Sequence, residues 1–405
     1  MQMKVYLDNS ATTKPYDQVV EIMAETQRTN WGNPSSAHSM GLDAEKIIKE
    51  SADIIAGTFN VNKENIIFTS GGTESNNTAL MQPFSNINKI NDAHIVISAI
   101  EHPAVNGPSD YLEGNGAKLD RVPVDELGLV DLDRLESTIR HETAIISVMA
   151  VNNEVGTIQP IKEICKIKAS AMSKGSRDLL LHTDAVQAYG KYVMDLSSSD
   201  LSSIDMLTVS AHKIHGPKGV GVLFVRNPSK VKPFIRGGGQ QRGFRSGTEN
   251  VAAIAGFGSA ALITENNMED NIKKVGRLRE KLLFGLKSEI DNIRINSPEE
   301  ISFTGEPGKS VPSILSVSFP GTKGEVILHS LEQNGIFVST ESACASKKKG
   351  RSPVLTAMGL DDEEIEGTIR FSFSAFNTED EIEYVVKETK SAVDKFRKLT
   401  GYRRR

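Results

Sequence analysis

The chain holds only two cysteines in 405 residues, Cys165 and Cys344. Two thiols cannot build a disulfide framework, and no CxxC or Cys/His spacing marks a structural metal site. Charge of one sign is also missing. The 47 basic and 52 acidic residues leave a net −5, so no global basic field argues for nucleic acid or an anionic membrane. No run approaches the roughly twenty apolar residues of a membrane span. The opening MQMKVYLDNSATT passes into a strand-like segment without the apolar region of a secretion signal. A soluble, cytoplasmic chain with no membrane and no direct nucleic-acid partner is expected. Internal repeats and low-complexity linkers are lacking too, and the length suits one large core and a smaller one.

What is present is an alternation of short apolar runs and helical stretches. The strand candidates are NIIFTS (65–70), HIVIS (94–98), AIISVMAV (144–151), LLLHTD (179–184), MLTVS (206–210) and VGVLFV (220–225). Apolar runs without strict alternation, separated by helices, predict a mainly parallel sheet covered on both faces. This is an α/β pattern, and such sheets bind ligands at the carboxyl ends of their strands. After GGGQQRGFRSGTEN (237–250) a long helical region is expected from about Val251 to Asn292. Strands at 314–319, 336–339 and 368–373, with helices at 323–334 and 379–398, predict a second, α+β unit. The division expected is 14–260 for a large domain, with 1–13 and 261–405 as the small one. The glycines of GGGQQRG do not have nucleotide-binding spacing and do not open a βαβ unit.

Candidate chemistry falls where the strands end. In DMLTVSAHKIHGPKGVG (205–221), Lys213 follows a buried strand; partial desolvation lowers an amine pKa, and a neutral amine can form an imine with an aldehyde. SGGTESNN (70–77) opens a helix whose free N–H groups and Thr73 hydroxyl suit a phosphate, and Ser210 and His212 can donate to the same group. His102, in AIEHPAVN, can stack on a planar ring and carry protons. Asp184, in HTDAVQ, can keep a ring nitrogen protonated, or cap a short helix. Asn152 and Asn153 end the strongest strand and need a ligand or a turn.

Together, LDNSATT, GNPSSAH, FTSGGTESNN, EHPAV, VNNEVGTIQPI, HTDAVQ, SAHKIHGPKGVG, GGGQQRGFRSGTEN, SACAS and IRFSF resemble, in order, the signature stretches of the NifS/IscS-like cysteine desulfurases. These are class V members of the fold-type I enzymes that use pyridoxal 5'-phosphate (PLP). The resemblance implies a large domain with a mainly parallel seven-stranded sheet and a smaller α+β domain. It implies that Lys213 forms the internal aldimine and that His102 stacks on the ring and transfers protons. It further implies that Asp184 pairs with the ring nitrogen and Gln187 with the ring hydroxyl. Thr73, Ser210 and His212 would hold the phosphate, with Thr248 added from the neighbouring subunit of a homodimer. Asn153 and Arg370 would hold the substrate carboxylate, Arg370 through its planar fork.

The two thiols differ in setting. Cys165 lies in PIKEICKIKAS at helical spacing and reads as a core thiol. Cys344 lies in STESACASKKKGRSPVL (339–355), a polar stretch expected to be a mobile exposed loop. Lys347, Lys348 and Lys349 favour thiolate there. The stretch resembles the long-loop desulfurases, although Glu341 stands where relatives often have glycine. The expected reaction converts L-cysteine to L-alanine with sulfur passing to Cys344. From there it would pass to a sulfur acceptor, an iron–sulfur scaffold or a tRNA-thiolation enzyme. Transamination and selenocysteine lysis are the enzyme alternatives, and SACAS separates them from the desulfurase; a non-catalytic sulfur relay is the other, and intact Lys213, Asp184 and His102 argue against it.

Overall fold

The computed structural model describes residues 3–84, 90, 93–175, 179–340 and 351–402. Among them the strands are β1 (Val5–Tyr6), β2 (Ile66–Thr69), β3 (His94–Ser98), β4 (Lys118–Val122), β5 (Thr143–Ser147) and β6 (Leu180–Asp184). The remainder are β7 (Met206–Ser210), β8 (Gly221–Val225), β9 (Arg294–Ile295), β10 (Ile314–Ser318), β11 (Ile336–Phe337) and β12 (Thr368–Ser372). A seven-stranded sheet has the order β2-β8-β7-β6-β5-β3-β4. Its neighbours are parallel except at β8, which runs against both β2 and β7.

The lack of alternation in the apolar runs has a direct cause. Successive side chains of a strand point to opposite faces, and both faces of this sheet are buried. Ile66, Phe68, Val96, Ile146, Leu207 and Val209 pack into one core. Their neighbours Ile67, Ile95, Ile97, Ile145 and Met206 pack into another, on the opposite side. The first face is covered by the helices Asp17–Thr29, Ser39–Gly57, Ile161–Ser173 and Val251–Asn266. The second is covered by Gly72–Met81 and Pro103–Gly114.

The edge strand β4, KLDRV, is absent from the apolar pattern because it buries only Val122 fully. An edge strand facing solvent keeps polar side chains, and Arg121 pairs there with Asp110. The predicted helical region 251–292 divides at Asn267 into Val251–Asn266 and Met268–Glu289. Residues before the break, such as Ile254 and Phe257, belong to the core of the large sheet. Residues after it, such as Val275, Leu278 and Leu282, belong to a separate core with Leu315, Val317, Ile369 and Phe371.

That separate core lies on an antiparallel sheet of order β12-β10-β9, and β1 pairs in parallel with β11 beside it. Val5 and Leu7 are buried in the same core. The chain therefore starts in the small unit and enters the large one through residues 8–16. Among the described residues, no helix is long and apolar enough to cross a membrane.

Candidate active site

Because β8 alone is reversed, the carboxyl ends of β2, β3, β5, β6 and β7 open on one edge of the sheet. Beyond β7 a single 3-10 turn, Ala211–Lys213, lifts the lysine off the strand. The Lys213 amine donates to the backbone oxygen of Ser10 and to that of Ala11 (2.9 Å). Residues 8–13 thus form a strap across the strand ends. Gln187 Nε2 donates to the same Ser10 oxygen (3.0 Å), and Thr13 Oγ1 donates to the His212 oxygen (3.1 Å).

Beside the strap lies a hollow of about 370 Å³ lined by Gly72, Thr73, Ser210, His212 and Lys218. The Gly72–Met81 helix points its N-terminus there with no side-chain cap, so its first N–H groups suit an anion. Gly71 has φ +152. A Cβ at Gly221 would approach the Gly71 backbone to 2.8 Å, so both positions need glycine for the strand and helix end to meet. His212 is pushed down to about 4, first by burial and then by Lys213 and Lys218. It is therefore a neutral ring in a positive pocket, and its Nδ1 lies 3.2 Å from Thr12 Oγ1.

Thr73 also lines a second hollow, of about 580 Å³, with His102, Pro103, Met81 and Phe234. His102 caps the Pro103–Gly114 helix, its Nδ1 accepting from the Ala104 N–H (3.0 Å). Burial holds its pKa below the usual histidine value, the Asp184 carboxylate opposes that shift, and Lys213 reinforces it. His102, Asp184 and Lys213 therefore share one electrostatic neighbourhood. Asp184 is buried, its Oδ1 accepting from the Val186 N–H (2.9 Å) and its Oδ2 from Asn76 Nδ2 (2.6 Å).

Arg370 reaches this edge from the other unit, out of the middle of β12. Its Nη1 donates to the Asn153 oxygen (3.0 Å) and its Nη2 to Asp8 Oδ1 (3.0 Å). The buried amide is Asn152, which is satisfied by an Asx turn: its Oδ1 accepts from the N–H groups of Glu154 and Val155. Thr248 does not line the Thr73 hollow. It lies in an adjoining one that shares only Ser70 and Gly219 with it. Cys165 is buried in the Ile161–Ser173 helix, and burial pushes its thiol up to about 11. Cys344, Glu341 and Lys347–Lys349 lie outside the described residues.

Three contributors escape sequence reading. Asn76 stands three residues after Thr73, on the helix turn that faces Asp184, so helical spacing alone could have flagged it. Glu101 is buried just before His102. The strap acts through backbone oxygens, which leave no residue-type signal.

Residues 5–385 match the aminotransferase class-V family. The cysteine desulfurase IscS of Clostridium botulinum is 39% identical over 403 residues, covering 99% of this chain and 97% of that protein. The solved structure of a NifS-like protein superposes with a TM-score of 0.86 at 38% identity, covering 97% of this chain and 100% of the other. That of SspA in complex with cysteine does so at 0.78 and 30% identity, covering 93% and 100%. Enzymes of this family use PLP. The donor set fits it, with an uncapped helix N-terminus among hydroxyl and ammonium groups for a phosphate, a buried carboxylate for a ring nitrogen, and an amine in the same electrostatic neighbourhood as that carboxylate. The chain belongs to the class-V aminotransferase family and, within it, to the IscS/NifS cysteine desulfurases.

Proposed function

We propose that this chain takes sulfur from L-cysteine, releases L-alanine, and carries the sulfur on Cys344 before handing it to an acceptor protein. The observation that carries the reading is how the Cys344 segment is tethered. Ser339 pairs with Arg370 through both backbone bonds (2.8 and 3.2 Å). At the other end, the Ser352 hydroxyl donates to Glu154 (2.5 Å), next to Asn153. Both ends of the segment therefore start beside the residues assigned to the substrate carboxylate.

When bound, PLP supplies an electron sink for the pair left when a substrate loses its Cα proton. Lys213 is the base at Cα, and the strap oxygens orient its amine. Asp184, held by Asn76 and the Val186 N–H, would keep the ring nitrogen protonated. Gln187 would bond the ring hydroxyl, and Thr73, Ser210 and His212 would hold the phosphate. His102 would stack on the ring as a neutral imidazole able to take up a proton. Arg370 and Asn153 orient the substrate carboxylate. The Cys344 thiolate then attacks the substrate sulfur: an S–S bond forms, the C–S bond breaks with its electron pair left on the substrate, and the sulfur stays on Cys344 as a persulfide; the proton the thiol gave up and the one taken from Cα, delivered to Cβ and Cα, complete alanine.

That Thr248 lines an adjoining hollow and not the Thr73 one supports its serving the neighbouring subunit of a homodimer. The two cores support a cofactor-holding domain and a smaller one close to the expected 14–260 and 1–13 with 261–405, although Ala261, Val311 and Ile314 pack into the larger core. The setting is the cytoplasm, and the acceptor is an iron–sulfur scaffold or a tRNA-thiolation enzyme. Incubation of the holoenzyme with L-cysteine tests the reading. Wild type should form alanine, and Cys344→Ala should not while keeping the cofactor's visible absorbance. Alanine formed equally by both proteins would sink the thiol's role.

A further inference from the structure

Glu101 occupies the turn between β3 and His102 with 3% of its surface exposed. Its Oε1 accepts twice, from the Ser98 hydroxyl (2.5 Å) and from the Met149 N–H (2.8 Å) just beyond β5. Its Oε2 is fully enclosed and has no hydrogen-bond partner among the described residues. An ionised carboxylate would share its charge over both oxygens and leave one of them desolvated, which is costly. A neutral acid matches the pattern better, with Oε1 as a carbonyl accepting two bonds and Oε2 as the hydroxyl.

We propose that Glu101 is a positioning residue, an uncharged carboxylic acid that ties the end of β3 to the end of β5 and fixes the turn presenting His102. The inference rests on the functional reading above. The groups around it agree. Asp184, at the end of β6, acts on Glu101 as a like charge, and two buried carboxylates in one neighbourhood disfavour each other. His182 on β6 is buried and neutral, pushed down to about 3 and bonded to Ser147 and Thr208. His102 is held neutral by burial, with Lys213 beyond it. Asp125, past the end of β4, is exposed and bonded within its own loop. Ile100 packs among apolar residues, Met149, Val354, Leu355 and Met358. Burial accordingly raises the Glu101 carboxyl to about 8, with the Asp184 charge adding to the rise.

The same turn is tied down at its backbone. Asn106 Nδ2 donates to the Glu101 oxygen (2.7 Å) and Asn152 Nδ2 to the Ile100 oxygen (3.1 Å). The Glu101 carboxyl adds the tie from this turn to the Met149 N–H. Above about pH 8 it would gain a charge beside Asp184, and the turn would loosen.

The test is infrared spectroscopy of the full chain, with and without cofactor, after labelling with [13C]glutamate. A glutamic-acid carbonyl band should be present at pH 7, fade near pH 8, and be missing from Glu101→Gln. In cysteine turnover, Glu101→Ala should lose about tenfold or more in kcat. Glu101→Gln should recover most of that loss and lack the wild-type fall in rate above pH 8. A wild-type band absent at pH 7, a band unchanged in Glu101→Gln, or equal losses in both variants would overturn the proposal. If neither variant folds, the wild-type titration decides alone. A wild type that makes no alanine overturns the functional reading and leaves the infrared test in force.

Discussion

The two sheets contribute to the site in different ways. The large sheet offers strand ends: Lys213, Asp184 and His102 each stand just beyond or at a carboxyl end, in a local motif, within a buried frame. The small sheet offers Arg370 from the middle of a strand, and that arginine acquires its setting from Asp8 and Asn153, 362 and 217 residues away in the chain. On the proposed reading, cofactor chemistry belongs to the large sheet and recognition of the substrate's carboxylate to the small one, with the strap 8–13 joining them.

The sharpest way to break that division is at the amine. Lys213→Ala should reduce turnover by about a thousandfold or more, in the range expected for loss of a general base. It should also abolish the cofactor's visible absorbance and leave the circular-dichroism spectrum of the fold intact. The small sheet should answer differently. Arg370→Ala should raise KM for cysteine roughly 10- to 100-fold, as for a lost charge-assisted hydrogen bond, with the absorbance unchanged. Were the absorbance to vanish instead, the proposed division of labour would be wrong. Asn76→Ala probes the frame itself. It strips Asp184 of its Asn76 donor, leaving the Val186 N–H, and should weaken cofactor retention about tenfold, measured by equilibrium dialysis.

Acid should act through His102. Its folded pKa is lowered, so the neutral ring persists until the pH falls through a value below that of free histidine. The acid limb of kcat/KM should have its midpoint there, and a midpoint above the free-histidine value would contradict the buried setting. The smallest effect is expected at Cys165. A buried thiol pushed up to about 11 is inert, so Cys165→Ala should change turnover by less than about twofold.

The same contrast explains what could be seen in the sequence. Strands buried on both faces announce themselves as apolar runs, and residues just past their ends are bracketed by glycine, proline and small residues; Lys213 and Asp184 stand out for that reason. The edge strand β4 stayed hidden because solvent lets it be polar, and the break at Asn267 because helical composition continues across it. Asp8 beside Arg370 and the strap's carbonyls on Lys213 depend on pairings between distant segments. No local pattern encodes those.

The most direct test is to locate the sulfur. The holoenzyme is given one turnover of L-cysteine, alkylated, digested and weighed by mass spectrometry. One extra sulfur atom should sit on the Cys344 peptide, matched by an equal amount of alanine, with the Cys165 peptide unmodified. Alanine released with no sulfur on Cys344, or sulfur found on Cys165, would contradict the account.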